Sequence, residues 1–523
     1  MTFRAEHPPA GFSPLQLADF AHPSSQIAIS WAVIGLGAGG GKIADTFASI
    51  KNQNQQSFYP TLAINSYLGD LKALKHVPDD QRLNLIGYEA GCGQSPYKGY
   101  QALCDLRNKD RVWEKINSIS TNAQAIWVTA SLGGNTGTGG ISELIGWAAY
   151  TQKPVGAILT LPRKGNLEEL SNALDALAPI YNDLLGPEAD RPLKSLIIVD
   201  NEKIYQDYLR DKQAHLVPEG IDWMTYANTK LAHTLHELNV LPTSASDVNF
   251  DPEDFRKVLF SSGSITFAKH LIRTVPTFSE QDLKEEVLRT VVDGGMLSRG
   301  FDDETGVIAG AVCLIIPEGS RVATVNSLEV ISDELKAKFP GLRAGLQQGY
   351  TTWEQKNQML VYTLMSLTAL PERAQHLKEE HKALKAEQEA LYARRASSRI
   401  EHRGGASAPR HVSTFTGFSA SGPSTSPFAI SPSSPTPLTP AAQPRNEPAW
   451  PAWKSPTSAE DEALEEQLTW PGRKSPAPSP LVNATTQQAK ESLASLAPNN
   501  NGSFNDLLPK KQKQQHHKNK YPQ

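Results

Sequence analysis

The sequence has few of the residues and patterns that mark secreted, metal-binding or membrane proteins. Its three cysteines, Cys92, Cys104 and Cys313, are scattered and lack metal-ligand spacing, which indicates a reducing compartment without disulfides. The first residues lack the apolar core of a signal peptide, and no apolar stretch is long enough to span a bilayer. A soluble cytoplasmic protein with no protein-bound metal site is therefore expected.

An excess of charge of one sign is also lacking. The 523 residues include 51 Lys and Arg against 55 Asp and Glu, which gives a net charge of -4. A balance this even gives no electrostatic reason to expect direct binding to nucleic acid or to an anionic membrane.

Glycine, by contrast, is concentrated in two stretches. Residues 131–140 read S-L-G-G-N-T-G-T-G-G, after the apolar run 125–130 and before residues 141–150, which have helical spacing. Glycines let backbone N–H groups approach phosphate oxygens, and a helix N terminus adds positive potential. The stretch therefore predicts phosphate binding, although it has neither the Walker A pattern nor the Rossmann spacing.

A second glycine-rich stretch, residues 35–42 (G-L-G-A-G-G-G-K), follows a predicted strand at residues 27–36. Alone it loosely matches the dinucleotide fingerprint of oxidoreductases, which place an acidic residue at the end of the next strand to hold the ribose. The next predicted strand, residues 59–64, ends in Asn65 and Ser66 instead. The oxidoreductase interpretation therefore loses support.

Strands and helices alternate along the first half of the chain. Further strands are predicted at 82–86, 125–130, 155–161 and 193–199, with helices at 98–119 and 167–185 between them. Such repeats imply an α/β fold with a parallel sheet and with ligands at the carboxyl ends of the strands.

The pattern changes after a long amphipathic helix at residues 221–238. Strands predicted at 265–268, 307–316 and 359–367 are separated by helical segments and indicate a smaller α+β region. A charged helix is predicted at 371–403. From residue 404 the composition shifts to Ser, Pro, Thr and Ala, which predicts a disordered tail.

These motifs resemble those of the tubulin/FtsZ family of GTPases. Residues 131–140 are similar to the family's G-G-G-T-G-T-G signature, with Asn135 in place of the third glycine, and residues 63–66 (A-I-N-S) are similar to its A-I-N-T. The first glycine stretch resembles G-x-G-G-G-G-G-N, with Ala38 for a glycine and Lys42 for the asparagine. Residues 90–93 resemble an Ala-Gly-Gly turn that approaches the γ-phosphate.

The resemblance implies a site for GTP or GDP in which Mg²⁺ bridges the phosphates. It implies nucleotide contacts by Gly37, Ala38, Gly39, Gly40, Gly41, Asn65, Ala90, Gly91, Gly93, Gly133, Gly134, Asn135, Thr136, Gly137, Thr138 and Gly139. Asn201 and Asn228 would select guanine, because one can read its O6 and the other its N1/N2 edge.

Residues 249–254 (N-F-D-P-E-D) resemble the family's N-x-D-x-x-D loop, which completes the site of a neighbouring subunit. Asp251 and Asp254 would act in trans on the attacking water. Asp251 before Pro252 is also a good helix N-cap, and both interpretations can hold together. Head-to-tail contacts of this kind propagate into filaments when they do not close.

The resemblance covers residues 27–370 and implies a self-polymerising GTPase of cell division or of DNA and plasmid segregation. The expected parts are an N-terminal extension (1–26), a GTP-binding domain (27–220), a central helix and linker (221–248), a second, activation domain (249–370), a C-terminal helix (371–403) and the disordered tail (404–523). Two alternatives stay open, a nucleotide-binding scaffold without turnover and, less favoured, a nucleotide-dependent oxidoreductase.

The tail contains a short repeat. Residues 450–456 (W-P-A-W-K-S-P) recur as residues 470–476 (W-P-G-R-K-S-P), and an apolar peptide at 504–508 precedes a lysine cluster. Trp supplies an apolar anchor and Pro holds the peptide extended before binding. These peptides are predicted to recruit adaptor proteins.

Overall fold

The structure is a computed structural model. It describes residues 15–404, apart from residues 94, 245–249, 274–277, 293–295, 300–305, 319, 321, 323–324 and 354–356.

Ten strands of the described chain form one mixed sheet. They are β1 (Trp31–Leu36), β2 (Thr61–Asn65), β3 (Arg82–Asn84), β4 (Ala125–Ser131), β5 (Val155–Leu161), β6 (Leu193–Asp200), β7 (Gly263–Arg273), β8 (Val307–Pro317), β9 (Leu346–Trp353) and β10 (Gln358–Leu367). Their order across the sheet is β3-β2-β1-β4-β5-β6-β7-β10-β8-β9. From β3 to β7 neighbouring strands are parallel, whereas β10 runs antiparallel to both β7 and β8, and β9 is parallel to β8.

The described residues also form thirteen α-helices. They are α1 (Gly37–Ser49), α2 (Leu68–Lys72), α3 (Pro96–Cys104), α4 (Leu106–Ser120), α5 (Asn135–Ala149), α6 (Leu167–Pro179), α7 (Asn201–Gln213), α8 (Trp223–Val240), α9 (Pro252–Leu259), α10 (Glu280–Val292), α11 (Val325–Lys338), α12 (Glu372–Gln375) and α13 (Leu377–Gly404).

The parallel strands are buried because helices cover both faces of the sheet. All six residues of β1 and all seven of β5 are buried, and both strands are apolar without alternation. Apolar side chains of α3, α4, α5 and α6 pack on one face, and those of α1, α7, α8 and α9 pack on the other. The predicted α/β fold with a parallel sheet is confirmed.

The strands after α8 extend the same sheet. β7 pairs with β6, while β8, β10, α10 and α11 share a separate apolar core that includes Leu283, Val287, Val312, Leu335 and Val361. This is the smaller α+β region expected from the sequence. The domain boundaries drawn from the sequence stay a prediction.

The central helix α8 runs from the carboxyl ends of the parallel strands to their amino ends. Asp222 caps its first turn, and near its end the Asn239 side chain forms hydrogen bonds with both backbone groups of Ile29, two residues before β1. The amino end of β1 therefore fixes the position of the end of α8.

The C-terminal helix packs on its own subunit. Leu377 at the start of α13 is buried and Leu384 packs on the same core, whereas Leu391 is exposed. None of the described helices is both long and apolar enough to cross a membrane. The predicted disordered tail lies outside the described residues from 405 onward.

Candidate functional site

A cleft of about 550 Å³ lies at the carboxyl ends of the parallel strands. It extends from the end of β2, across β1 and β4, to the end of β6 and the first turns of α8. Of the residues predicted to contact nucleotide, the following line it: Gly37, Ala38, Gly39, Asn65, Ala90, Gly91, Gly93, Gly134, Asn135, Thr136, Gly137, Asn201 and Asn228.

Two helices begin at this cleft with neither a side-chain cap nor an acidic residue in the first turn. Leu36 before α1 and Gly134 before α5 accept no N–H hydrogen bond through a side chain, and neither helix has an acidic residue in its first turn. Seven other helices of the described chain do begin with such a cap, from Ser95, Asp105, Asn166, Asp200, Asp222, Asp251 and Ser279. The N–H groups of α1 and α5 are thus left to bind an anion in the cleft.

Glycine is required where these two helix ends meet. Gly37 has a φ of +73°, and a Cβ added there would lie 2.9 Å from the backbone nitrogen of Gly137. The two uncapped N termini therefore lie side by side, so that one ligand with several negative charges can receive N–H groups from both.

The other five predicted phosphate contacts do not line the cleft, and their side chains or Cα atoms pack beneath it. These residues are Gly40, Gly41, Gly133, Thr138 and Gly139. A Cβ on Gly139 would overlap the Pro96 carbonyl of α3, and one on Gly40 would overlap that of Thr129 in β4. The Thr138 hydroxyl donates to the Leu132 carbonyl at 2.7 Å.

The Gly/Thr stretch itself is helical rather than a loop. Residues 135–140 form the first turns of α5, which the sequence pattern placed only from residue 141. Close packing of α3 against these glycines stabilises a helix that low propensity alone disfavours. The hydroxyl of Thr136 forms a 2.8 Å hydrogen bond with that of Ser66, which follows β2.

A buried network joins α7 and α8 at the other end of the cleft. Lys203 and Lys230 lie 2.7 Å and 3.4 Å from the Asp207 carboxylate, and the Tyr226 hydroxyl donates to Asp211 at 2.6 Å. Burial lowers the pKa of Lys230, although the nearby Asp207 carboxylate opposes this. Asn201 begins α7, and Asn228 lies between Tyr226 and Lys230 in α8. The network therefore fixes the spacing between the two amides.

Several lining residues were not among those predicted from the sequence. They are Ser66, Tyr67, Asp70, Ser131, Thr160, Trp223 and Met224, together with Lys42, which was noted only as a departure from the family pattern. Met224 and Asn228 are four residues apart and so share a helix face, a spacing that would have found Met224. The carboxylate of Asp70, which accepts from the Asn65 amide at 2.9 Å, had no such signal.

Lys42 and Asp222 set the charge where α1 meets α8. Partial burial tends to raise the pKa of the Asp222 carboxyl. The N–H groups of Thr225 and Met224 and the Lys42 ammonium outweigh this effect and hold that pKa below its usual range. Asp222 is therefore ionised at neutral pH and caps α8.

Asp251 and Asp254 do not line the cleft. Asp251 is the N-cap of α9 and accepts the backbone N–H of Asp254 at 2.8 Å, while Lys257 lies 3.4 Å from the Asp254 carboxylate. Asn249, which begins the same motif, lies outside the described residues. The capping role of Asp251 is thus observed.

The central helix separates these carboxylates from the cleft. α8 starts beside the cleft at Trp223 and has 18 residues, so it is about 27 Å long. Its last turn is bound to Ile29, at the amino end of β1, and α9 leads into β7, whose first residue pairs with Ser195 near the amino end of β6. The two aspartates and the cleft therefore lie at opposite ends of the subunit.

No group of three or more His, Cys, Asp or Glu side chains in the described chain is arranged to hold a metal ion. The one carboxylate among the cleft-lining residues is that of Asp70. A metal bound here would therefore need further ligands from a bound anion or from water.

Two protein-family models match the chain. One, described as the GTPase domain of the tubulin/FtsZ family, matches residues 30–208. The other, the C-terminal domain of tubulin/FtsZ-like proteins of the TubZ type, matches residues 237–378. Together they span more than half of the sequence.

Individual proteins are similar over most of the same region. The tubulin-like protein TubZ of Bacillus cereus is 25% identical over 398 residues, which are 73% of this chain and 89% of the relative. A GTPγS-form protofilament of TubZ from Bacillus thuringiensis serovar israelensis superposes with a TM-score of 0.61 at 25% identity, over 72% of this chain and 96% of that one. A TubZ described as a type III plasmid segregation protein superposes with a TM-score of 0.59 at 25% identity, over 71% and 96%.

Proposed function

This chain belongs to the tubulin/FtsZ family, and we propose that it binds and hydrolyses GTP while polymerising head to tail into filaments. The observation that carries this proposal is the pair of uncapped helix N termini, α1 and α5, at one cleft. They supply N–H donors and positive potential to a polyphosphate.

GTP would lie along the cleft with its base between Asn201 and Asn228. Both amides line the end of the cleft at β6 and α8, next to Trp223, which supplies an aromatic surface. Asn201 begins α7 and Asn228 faces it from α8, so that each amide can pair with a different edge of guanine. The triphosphate would extend toward β1, β4 and β2.

Mg²⁺ fits the phosphate end of this arrangement. Asp70, the carboxylate lining the cleft, is oriented by the Asn65 amide and would hold the ion together with phosphate oxygens. When bound, the ion neutralises charge that develops on the phosphates during transfer. The chain's own contribution is positioning through the N–H groups of α1 and α5.

Hydrolysis would be completed by a second copy. Asp251 and Asp254 lie about one α8 length from the cleft of their own subunit, so they can reach a nucleotide only in a neighbour. Exposed apolar side chains near the phosphate end favour such a contact, since Tyr67 is 50% exposed and Tyr97 is 67% exposed. The contact joins different surfaces, so it propagates.

The role we propose is segregation of plasmid or other DNA rather than cell division. The match of residues 237–378 to the TubZ-like C-terminal domain supports it, as does the likeness to a TubZ described as a plasmid segregation protein. In this proposal, DNA is reached through adaptor proteins bound to the tail, because the balanced net charge of the chain gives no basis for direct binding.

The test is binding and turnover with the full chain. We expect GTP to bind while ATP and NAD compete at least tenfold less well, since each lacks the guanine edge. Phosphate release per subunit should rise with protein concentration, because the site needs two copies. GTP binding without release at any concentration would favour a non-hydrolysing scaffold, and preference for NAD would overturn the proposal.

A further inference from the structure

We propose that the Asn135 side chain is a positioning residue that holds the turn at residues 90–93 in place for the last phosphate of GTP. This inference rests on the proposed function for the identity of the ligand. It assigns Asn135 a role different from the nucleotide contact predicted from the sequence, because its amide is engaged by protein groups on both sides.

The contacts of Asn135 define this role. Its Nδ2 donates to the Gly93 carbonyl at 2.6 Å, and its Oδ1 accepts from the Asn172 amide of α6 at 3.4 Å. Asn172 is buried and also donates to the Gly133 carbonyl at 3.4 Å. The Asn135 side chain therefore bridges α6 and the turn, and its orientation is set from the α6 side.

The turn forms few other hydrogen bonds. Gly91 and Gly93 have φ of +92° and +59°, and the Gly91 N–H bonds within the turn, to the Tyr88 carbonyl. Among the described residues, two hydrogen bonds join residues 91–93 to another element, and α5 donates both. They come from Asn135 to Gly93 and from Thr136 to the Cys92 sulfur at 3.6 Å.

The position of the turn identifies the phosphate that it faces. The two asparagines that we assign to the base lie beside β6, whereas the turn lies beside β2, next to Tyr67. β2 and β6 are four strands apart in the sheet, about 19 Å. A nucleotide with its base at β6 and its first phosphates over α1 and α5 therefore brings its last phosphate to the turn.

A glycine at residue 135 could not make the bridge, because it has no amide side chain. We infer that the asparagine adds rigidity to the GTP-bound site and contributes little to GDP binding. Loosening the turn should therefore weaken GTP binding selectively, by about the threefold to tenfold that one hydrogen bond provides.

The experiment uses Asn135→Ala in the full chain, with Asn117→Ala, an exposed asparagine of α4, as the matched control. Two quantities are measured in a Cys104→Ser background, which removes the more exposed thiol. One is the reaction rate of the buried Cys92 thiol with the disulfide reagent DTNB without nucleotide. The other is the ratio of dissociation constants for GTPγS and GDP.

We expect Asn135→Ala to speed the Cys92 reaction severalfold and to raise the GTPγS/GDP ratio about threefold to tenfold. Asn172→Ala should give a smaller effect in the same direction, and Asn117→Ala none. An unchanged Cys92 rate overturns the bridge. A faster Cys92 reaction with an unchanged ratio shows that Asn135 only supports the fold, and also overturns the proposal.

The same data separate this inference from the proposed function. If the unmutated chain binds neither GTPγS nor GDP, the proposed function fails. The thiol rate, which needs no nucleotide, still decides whether Asn135 holds the turn.

Discussion

Single polar side chains in the last turns of α8 decide how firmly the central helix is held. Glu237 is fully buried, yet its carboxylate accepts from Lys269 and from the Ala18 backbone, each at 2.7 Å, and from the Tyr362 hydroxyl at 3.0 Å. These three donors, one of them a cation, offset the cost of burying the carboxylate. The N-terminal segment, α8 and the β7–β10 pair are thereby joined at one residue.

His236 makes this part of the fold sensitive to acid. Its Nδ1 lies 2.8 Å from the Tyr59 hydroxyl, which also accepts a hydrogen bond from the Asn239 amide. Burial, with a smaller contribution from nearby His233, lowers the pKa of His236 to about 4. Protonation would place a charge in the core.

The prediction is a loss of stability between pH 7 and pH 5. In this range the unfolded chain protonates His236 while the folded chain does not, so the free energy of unfolding should fall by about 2 kcal/mol at pH 5. His233, whose pKa burial also lowers, acts in the same direction. Urea titrations of the unmutated chain and His236→Gln should differ by this slope, and parallel pH profiles would refute the assignment.

Base selection also depends on single side chains. Asn228→Ala should weaken GTP binding by about 1–3 kcal/mol, because a guanine edge would be left without its partner. The substitution leaves the Lys230–Asp207 pair beneath it intact. Calorimetric titration with GTP and ITP, which lacks the exocyclic amine, measures the effect, and equal affinities for the variant and the unmutated chain would remove Asn228 from the site.

At the scale of helices and strands, one arginine connects the C-terminal helix to the cleft. Arg373 of α12 donates to Asp200 at 2.6 Å and to the Pro162 carbonyl at 2.9 Å, and it forms a two-bond pair with Glu380 of α13. Asp200 is the N-cap of α7 and directly precedes Asn201. The docking of α13 and the start of α7 therefore share one partly buried cation.

We expect Arg373→Met to lower the free energy of unfolding by about 3 kcal/mol, since it leaves the buried Asp200 carboxylate without its cation. Arg394→Met, an exposed arginine of α13, serves as the control and should change stability by less than about 0.5 kcal/mol. Denaturant unfolding of both variants measures this difference. Equal stabilities would show that α13 docks without the arginine.

The elements that the sequence predicted well are those with an uninterrupted apolar run. The bounds of β5 agree residue for residue, because it is buried on both faces. The start of α5 was missed, since its glycines gain helical structure from packing against α3 rather than from propensity. The polar edge strand β9 (L-Q-Q-G-Y-T-T-W) also gave no signal, because its place depends on pairing with β8.

The same limit applies to the cleft. Local motifs could indicate the glycine-rich starts of α1 and α5 and the two asparagines, Asn201 and Asn228, because each lies at the end of a recognisable strand or helix. Asp70 and the Asn135–Asn172 bridge could not be predicted, since they join residues that are far apart in sequence and adjacent only in the fold.

At the scale of the whole molecule, the tail is the part in which the sequence predicts only short partner-binding peptides. Deleting residues 405–523, directly after α13, should leave GTP turnover within about twofold, because the cleft and the two aspartates stay intact. The deletion should abolish the avid binding of partners to the many tail peptides along a filament. Turnover assays and pull-down of host proteins with both chains measure this. Failure of the truncated chain to polymerise would assign the tail to assembly instead.

Helix α8 separates two functional ends of the molecule, the cleft at one end and Asp254 at the other. If the proposed function is correct, neither end hydrolyses GTP alone. Two variants isolate the ends. Asp254→Ala keeps the cleft, and Gly134→Trp fills it at a position where a side chain has space, since the nearest atom to an added Cβ is 4.0 Å away. Glu253→Gln, on the same turn as Asp254, is the control and should keep the parent turnover.

Mixing these two variants is the most direct measurement. Each alone should release almost no phosphate, whereas an equal mixture should recover turnover at about one quarter of the parent rate, because one in four head-to-tail contacts pairs an intact cleft with an intact Asp254. A mixture as inactive as its components, or Asp254→Ala hydrolysing GTP at the parent rate, would contradict the account.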